Sequence, residues 1–287
     1  MRPLLVAVPL LLAAACQTTT PAHGKVEVVA SAYPFAWLAQ QVGGDAVQVQ
    51  DLVKPGAEPH DVELSPRQVG EVQQAAVVVY LKGFQPAVED ALNGGRNGLD
   101  LGKVVSQQRA APGEDSAGKD PHIWLDPQRM EAAATALADR LARKDPAHAA
   151  GYRQRADEVS RRLAALDALF HRQLTGCART DIVTSHSAFG YLATRYGLTQ
   201  KGISGFSPDA EPSPRRIAEV AAFARRNGVT TIFFESLVDP KVAQTVASEI
   251  GARTAVLDPV EGVRGGDDYL TVQERNARTL HAALGCA

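Results

Sequence analysis

Asp181-Ile182-Val183-Thr184-Ser185-His186-Ser187-Ala188-Phe189-Gly190-Tyr191-Leu192-Ala193 decides the fold. An apolar run ends at an imidazole, and a helical pattern begins directly behind it. His186 therefore stands at the carboxyl end of a buried strand beside a helix start. In open α/β sheets that is where ligands bind. A single His there is more often a capping or surface residue, so the other strand ends must be read as well.

The same β-α alternation runs along the chain in both directions. Before this stretch, strands are expected at residues 25–30, 46–53, 75–81 and 99–105, with helices after each. Beyond it, strands are expected at 181–184, 199–203, 230–235 and 254–257, with helices at 188–196, 214–227, 240–250 and 269–284. Repeated β-α steps imply parallel pairing and a layered α/β fold. Between the two series, Tyr152, Ala156, Val159, Leu163, Leu166, Phe170 and Leu174 recur at spacings of 3 and 4. That stripe predicts a helix over about 29 residues, roughly 43 Å long. An ordinary core-facing helix has the same stripe, but this one is long enough to run down two lobes and restrict hinge opening.

The halves resemble each other. Ser31 to Ala39 aligns with Ser185 to Ala193, and Ser65-Pro66-Arg67 with Glu71 aligns with Ser213-Pro214-Arg215 with Glu219, at offsets of 154 and 148 residues. Two lobes of one architecture follow. The domains read as a signal peptide at 1–15, a tether at 16–24, an N-terminal lobe at 25–144, a linking helix at 145–175 and a C-terminal lobe at 176–287.

At 287 residues and 45% hydrophobic content the chain can bury a substantial core. A net charge of −2 gives no reason to expect nucleic acid as a partner. Arg2 followed by the apolar run Leu4 to Ala15 reads as a targeting segment. Ala13-Ala14-Ala15-Cys16 resembles a lipoprotein signal with Cys16 as the lipidated residue, although Leu is more usual at the place of Ala13; plain secretion is the alternative. Gln17 to Gly24 reads as a flexible tether. In an exported chain Cys177 and Cys286 predict one disulfide. A metal thiolate site would need more ligands near Cys286, and only Ala287 follows it.

Four candidate ligands follow four strands: His60, His122, His186 and Asp258, two per lobe. If the lobes face each other, all four point into one cleft. Three imidazoles and a carboxylate suit tetrahedral Zn²⁺, whereas Mn²⁺ prefers more oxygen ligands. Glu58, Asp61, Asp120, Asp126, Glu211 and Glu235 flank these positions or end strands. Glu235, closing Ile232-Phe233-Phe234, is the best candidate to orient a metal-bound His from behind; a helix-cap role or direct ligation are its alternatives.

Pro59-His60-Asp61, His122-Ile123-Trp124-Leu125-Asp126-Pro127, Ser185-His186 with Phe189 and Tyr191, and Leu257-Asp258-Pro259 together resemble the zinc/manganese solute-binding proteins of ABC importers. The resemblance covers almost the whole mature chain. It implies two similar α/β lobes joined by one long rigid helix, with a metal between them for delivery to a permease and its ATPase. It carries the ligand role to His60, His122, His186 and Asp258. Manganese members tend to have Glu where His186 stands, so zinc is implied here. Many zinc members carry a long His-rich loop before the second ligand, but Ser106 to Lys119 contains no His. The implied protein is extracytoplasmic, lipid-anchored or else periplasmic, monomeric, and not an enzyme.

A zinc hydrolase is the competing chemistry, but catalytic zinc usually keeps an open position, and four protein ligands leave none. A surface adhesin on the same scaffold is the third reading, for which the sequence offers no obvious patch.

Overall fold

The computed structural model describes residues 24–109, 118–263 and 265–287. The signal segment, Cys16 and all of the tether except Gly24 lie outside the described residues. No described helix is long and apolar enough to cross a membrane.

The first lobe runs β1 (Val26–Ala30), α1 (Tyr33–Gly43), β2 (Val47–Asp51), α2 (Pro66–Gln74), β3 (Val77–Tyr80), α3 (Pro86–Leu92) and β4 (Gly98–Asp100). Its sheet is entirely parallel, in the order β2-β1-β3-β4. Two helices follow, α4 (Pro127–Lys144) and α5 (Ala149–Gln173). The second lobe runs β5 (Asp181–Thr184), α6 (Gly190–Tyr196), β6 (Thr199–Gly202), α7 (Pro214–Arg226), β7 (Thr231–Phe234), α8 (Lys241–Ile250), β8 (Arg253–Val256) and α9 (Tyr269–Leu284). Its order, β6-β5-β7-β8, is that of the first lobe. In both, the chain steps to one side of the first strand and then crosses back to the other. The carboxyl ends of β1 and β3, and of β5 and β7, are therefore the switch points at which a crevice forms.

Local chemistry sets several boundaries. Ser65 and Ser213 cap α2 and α7 by accepting from the backbone N–H of Gln68 and Arg216, with Pro next in each case. The β4 strand is shorter than the expected 99–105. The Asp100 carboxylate accepts from Gly102 N at 3.0 Å and starts a 3-10 turn at residues 101–103.

The expected stripe on α5 is realised: Tyr152, Ala156, Val159, Leu163, Leu166 and Phe170 are its buried residues. Arg155 donates to the Val42 carbonyl at the end of α1, and Arg195 forms a two-pronged pair with Asp167 at 2.6 and 2.7 Å. Thus α5 is fastened to α1 at one end and to α6 at the other.

The largest apolar cluster crosses between the lobes. Trp37 stacks on Tyr269 at 4.5 Å, and Phe35 meets Trp124 edge-on at 5.7 Å. Two smaller clusters lie in the separate lobes, one including Val78, Val88 and Val72, the other Val183, Ile232 and Val246. Cys177 and Cys286 form a disulfide that closes a 109-residue separation and ties the start of β5's lobe to its last helix.

Candidate metal centre

His186 follows β5 by two residues, and Glu235 follows β7 by one. Their strands are neighbours in register Thr184↔Phe233, which extended by two residues sets 186 opposite 235. The Glu235 carboxylate duly lies 2.5 Å from His186 Nδ1, and Ser185 Oγ donates to the same oxygen. A carboxylate at Nδ1 fixes the tautomer that leaves Nε2 to face the cleft.

His122 has an equivalent arrangement built locally. Asp120 Oδ1 lies 2.7 Å from His122 Nδ1 and also accepts the His122 backbone N–H at 2.9 Å. Tyr191, from α6 in the other lobe, donates its hydroxyl to the Asp120 carbonyl and accepts from Gln108 N, both at 2.9 Å. Asp120 is thus pinned across the lobe interface. His60 sits in the loop after β2. Gln85 holds that loop over the first switch point by donating to the carbonyls of Ser31 and Pro59, and Phe84 packs edge-on against the His60 ring at 4.9 Å.

The carboxylate that the structure brings to the three imidazoles is that of Glu261, and the expected Asp258 stands outside that group. The register Phe234↔Val256 puts Ser236 beside Asp258, and Ser236 Oγ donates to the Asp258 carboxylate. The other Asp258 oxygen accepts from Val260 N at 2.8 Å, while Asn276 holds the backbone of Asp258 on both sides. The end of β8 is two strands away from β5, about 10 Å at ordinary strand spacing. An Asp there is too short to reach a site beside His186. The chain returns instead through Pro259 and Val260. The Pro259 carbonyl accepts from Trp124 Nε1 at 2.7 Å, and Val260 takes φ +60°, uncommon for a β-branched residue. This reversal brings Glu261, only 2% exposed, back over the switch point.

One Glu261 oxygen lies 3.1 Å from Nε2 of His60, 3.1 Å from Nε2 of His122 and 3.7 Å from Nε2 of His186. The Nε2 atoms of His122 and His186 are 3.3 Å apart. All four donor groups offer an atom within 4.8 Å of one another. A tetrahedral ion with bonds of 2.0–2.1 Å separates its ligand atoms by about 3.3 Å, so these spacings fit Zn²⁺. A cavity of about 330 Å³ lies between the loop after β2 and the loop after β8, bordered by Asp51 on one side and by the residue Glu261 on the other.

The electrostatics are those of a carboxylate caged by imidazoles. Burial opposes charge on Glu261, yet the bonds from His122, His186 and His60 outweigh it and hold the carboxyl well below its usual value. Burial likewise opposes charge on His122 and His186, but Asp120 and Glu235 respectively, with Glu261, raise both above the ordinary imidazole value. Burial dominates at His60 and lowers it. An incoming cation therefore competes with protons for these nitrogens.

The sequence reading missed Glu261. Its signal was faint: the second of two acidic residues in the stretch Leu257 to Val263, three positions past a strand-end Asp that drew attention first.

Residues 28–283 match the family described as the periplasmic component A of the zinc-uptake complex, ZnuA. The chain is 32% identical to the zinc-binding lipoprotein AdcA of Streptococcus pneumoniae, over 94% of its own length but 58% of that protein. It thus spans under two thirds of that longer relative. It is 31% identical to the high-affinity zinc uptake system protein ZnuA of Bacillus subtilis, over 96% and 94% of the two chains. The laminin-binding protein Lmb of Streptococcus agalactiae, described as a bifunctional adhesin and metal transporter, superposes with a TM-score of 0.82 at 32% identity, over 90% and 99% of the chains. A match that runs through both lobes, together with relatives alike over nearly their whole length, makes this chain a member of the ZnuA family of zinc-uptake binding components, a family of solute-binding proteins and not of enzymes.

Proposed function

We propose that the protein captures one Zn²⁺ outside the cytoplasm and delivers it to a membrane ABC permease and its ATPase. The ligands are Nε2 of His60, His122 and His186 and the carboxylate of Glu261, with Asp120 and Glu235 orienting two of the rings. The observation that carries this reading is the convergence of those four donors within 4.8 Å in a buried site between the lobes. Zinc is favoured over manganese because the donor set is three nitrogens and one carboxylate. A four-ligand site also leaves no position for a hydrolytic water. Asp258 acts one step back, as the brace of the turn that presents Glu261.

The anchor belongs to the same proposal. Lipidation at Cys16, with the tether to residue 24, holds a monomer at the membrane within reach of its permease. The lobes at 25–144 and 176–287, with the linking helix at 145–175, are the working units.

Metal analysis of the purified protein tests the reading, followed by titration against a chromogenic zinc chelator. One tightly held zinc per chain is expected, with His186→Ala losing most of the affinity. No tight site, or unchanged affinity in that variant, refutes it.

A further inference from the structure

The two carboxylates that orient ligand rings are built differently. Glu235 and His186 follow neighbouring strands of one lobe, and their contact needs nothing from the other. Asp120 and His122 belong to the first lobe, but their support is finished by the second. Arg109 and Lys119 form an antiparallel bridge, so the next pair in register is Gln108 with Asp120. Two residues facing each other in such a pair normally exchange both N–H···O bonds. Here only one is direct, from Asp120 N to the Gln108 carbonyl at 2.9 Å. The reciprocal bond is interrupted by a side chain. Gln108 N donates to the Tyr191 hydroxyl, and that hydroxyl donates on to the Asp120 carbonyl, each at 2.9 Å. A hydroxyl from α6 thus stands in for a rung of the other lobe's backbone.

Gly190, one residue earlier, fits the same partner. A side-chain carbon at residue 190 would lie 2.7 Å from Asp120 Oδ2, closer than such atoms come. Asp120 has no freedom to swing aside, because its Oδ1 lies 2.7 Å from His122 Nδ1 and accepts from His122 N at 2.9 Å. The Tyr191 ring is fully buried and lies 4.6 Å from the Arg129 guanidinium, so the hydroxyl is delivered at a fixed place. Packing asks only for the ring; a phenylalanine would fill the same space.

The segment that offers these two residues also carries a ligand. His186 precedes Gly190 on the same strand-to-helix connection, and its Nε2 lies 3.3 Å from Nε2 of His122. The lobes therefore meet twice in parallel at this point, once ring to ring and once through Tyr191 and Asp120. We propose that Gly190 and Tyr191 are positioning residues that make the support of His122 depend on contact between the lobes. With α6 in place, Asp120 holds the ring so that Nε2 faces the ion. With α6 drawn away, Asp120 loses its carbonyl bond and its backing. One displacement then moves His186 and loosens His122, so two of the three imidazoles let go together. The proposal rests on the zinc-binding reading above.

The test uses the full chain loaded with one Zn²⁺ per molecule, as wild type, Tyr191→Phe, Gly190→Ala and Tyr196→Phe. The last removes a hydroxyl on the same helix that donates to Asp167 and not to Asp120, and serves as control. Nuclear magnetic resonance reads the Nδ1–H protons of His122 and His186 separately. In Tyr191→Phe and Gly190→Ala the His122 proton should exchange with water about tenfold faster, while the His186 proton, held within its own lobe by Glu235, keeps its wild-type rate. Chelator competition should show zinc affinity about tenfold weaker in Tyr191→Phe, through faster dissociation. The control should match wild type in both measurements. Wild-type exchange at His122 and wild-type affinity in Tyr191→Phe overturn the proposal. Equal loss at both histidines, or the same loss in the control, assigns the effect to general loosening of the fold and overturns it as well. A wild-type chain that holds no zinc tightly overturns the zinc-binding reading itself, a result distinct from either.

Discussion

Exchanging Glu261 and Asp258 in turn, for their neutral isosteres, separates ligand from brace. Glu261→Gln removes the one anionic donor. Its oxygen is 3.1, 3.1 and 3.7 Å from the three Nε2 atoms, in a site whose histidines are at most 8% exposed at the side chain. Removing one partner of a buried charge interaction costs about 3–5 kcal/mol. At about 1.4 kcal/mol per decade, zinc affinity should fall about 10²- to 10⁴-fold. Asp258→Asn is different. Its amide oxygen can still accept from Val260 N, and the Ser236 hydroxyl can turn to accept in place of donating. Both bonds survive but lose the charge of the acceptor, a cost of about 1 kcal/mol, or about fivefold in affinity. Chelator-competition titration at pH 7 measures both, with metal analysis for stoichiometry. Equal losses, or a larger loss for Asp258→Asn, refute the assignment and return the fourth corner to Asp258.

Three further outcomes follow from the same geometry. Asp120 and Glu235, with Glu261, make His122 and His186 hold protons more tightly than an ordinary imidazole, and zinc competes with those protons. Binding should release at least about one proton and weaken as pH falls; calorimetry in two buffers of different ionisation enthalpy reads this, and identical heats would contradict it. Opening the Cys177–Cys286 disulfide by a double Ala substitution should cost about 3 kcal/mol and lower Tm by about 6–12 °C, given the 109-residue separation, while zinc affinity changes little; an unchanged melt in calorimetry is the adverse result. Burial raises Asp51 from 3.8 to about 6, so its folded form prefers to be neutral. The stability this gives is complete below about pH 3.8 and lost as pH rises through 6. Asp51→Asn should therefore raise stability by about 1–2 kcal/mol above pH 6 and leave it unchanged at pH 3.5. A denaturant series at the two pH values checks it.

How much was legible depended on distance from the strands. His60, His122 and His186 were readable because β-α alternation puts strand ends on one side, and the structure brings their rings together. The Glu235–His186 contact follows from strand neighbourhood once β5 is known to lie beside β7. Glu261 was not readable, because its position depends on a left-handed Val260, a conformation that valine itself does not advertise. Asp258, the expected fourth ligand, stands apart from the three rings for the converse reason. It marks the strand end correctly, but the strand is the sheet edge, two spacings from β5. The truncated β4 shows the same limit: Leu99 to Val105 carries a strand-like pattern, and a single Asp100 side-chain bond ends it early.

The aromatic seam between the lobes sets a population and a rate. Parting Trp37 from Tyr269 returns two buried side chains to water, about 1.5–3 kcal/mol each. That pair alone keeps a wide-open conformer below about one molecule in a hundred. The bonds from Trp124 Nε1 to the Pro259 carbonyl and from the Tyr269 hydroxyl to the Trp124 carbonyl, which also cross the seam, lower it further. Metal exchange through whole-lobe separation would thus draw on a rare state. Unaided release is correspondingly slow, and a scattering profile should hardly distinguish free from loaded protein. Discharge on the timescale of transport then requires a partner that supplies the missing free energy by binding the spread form.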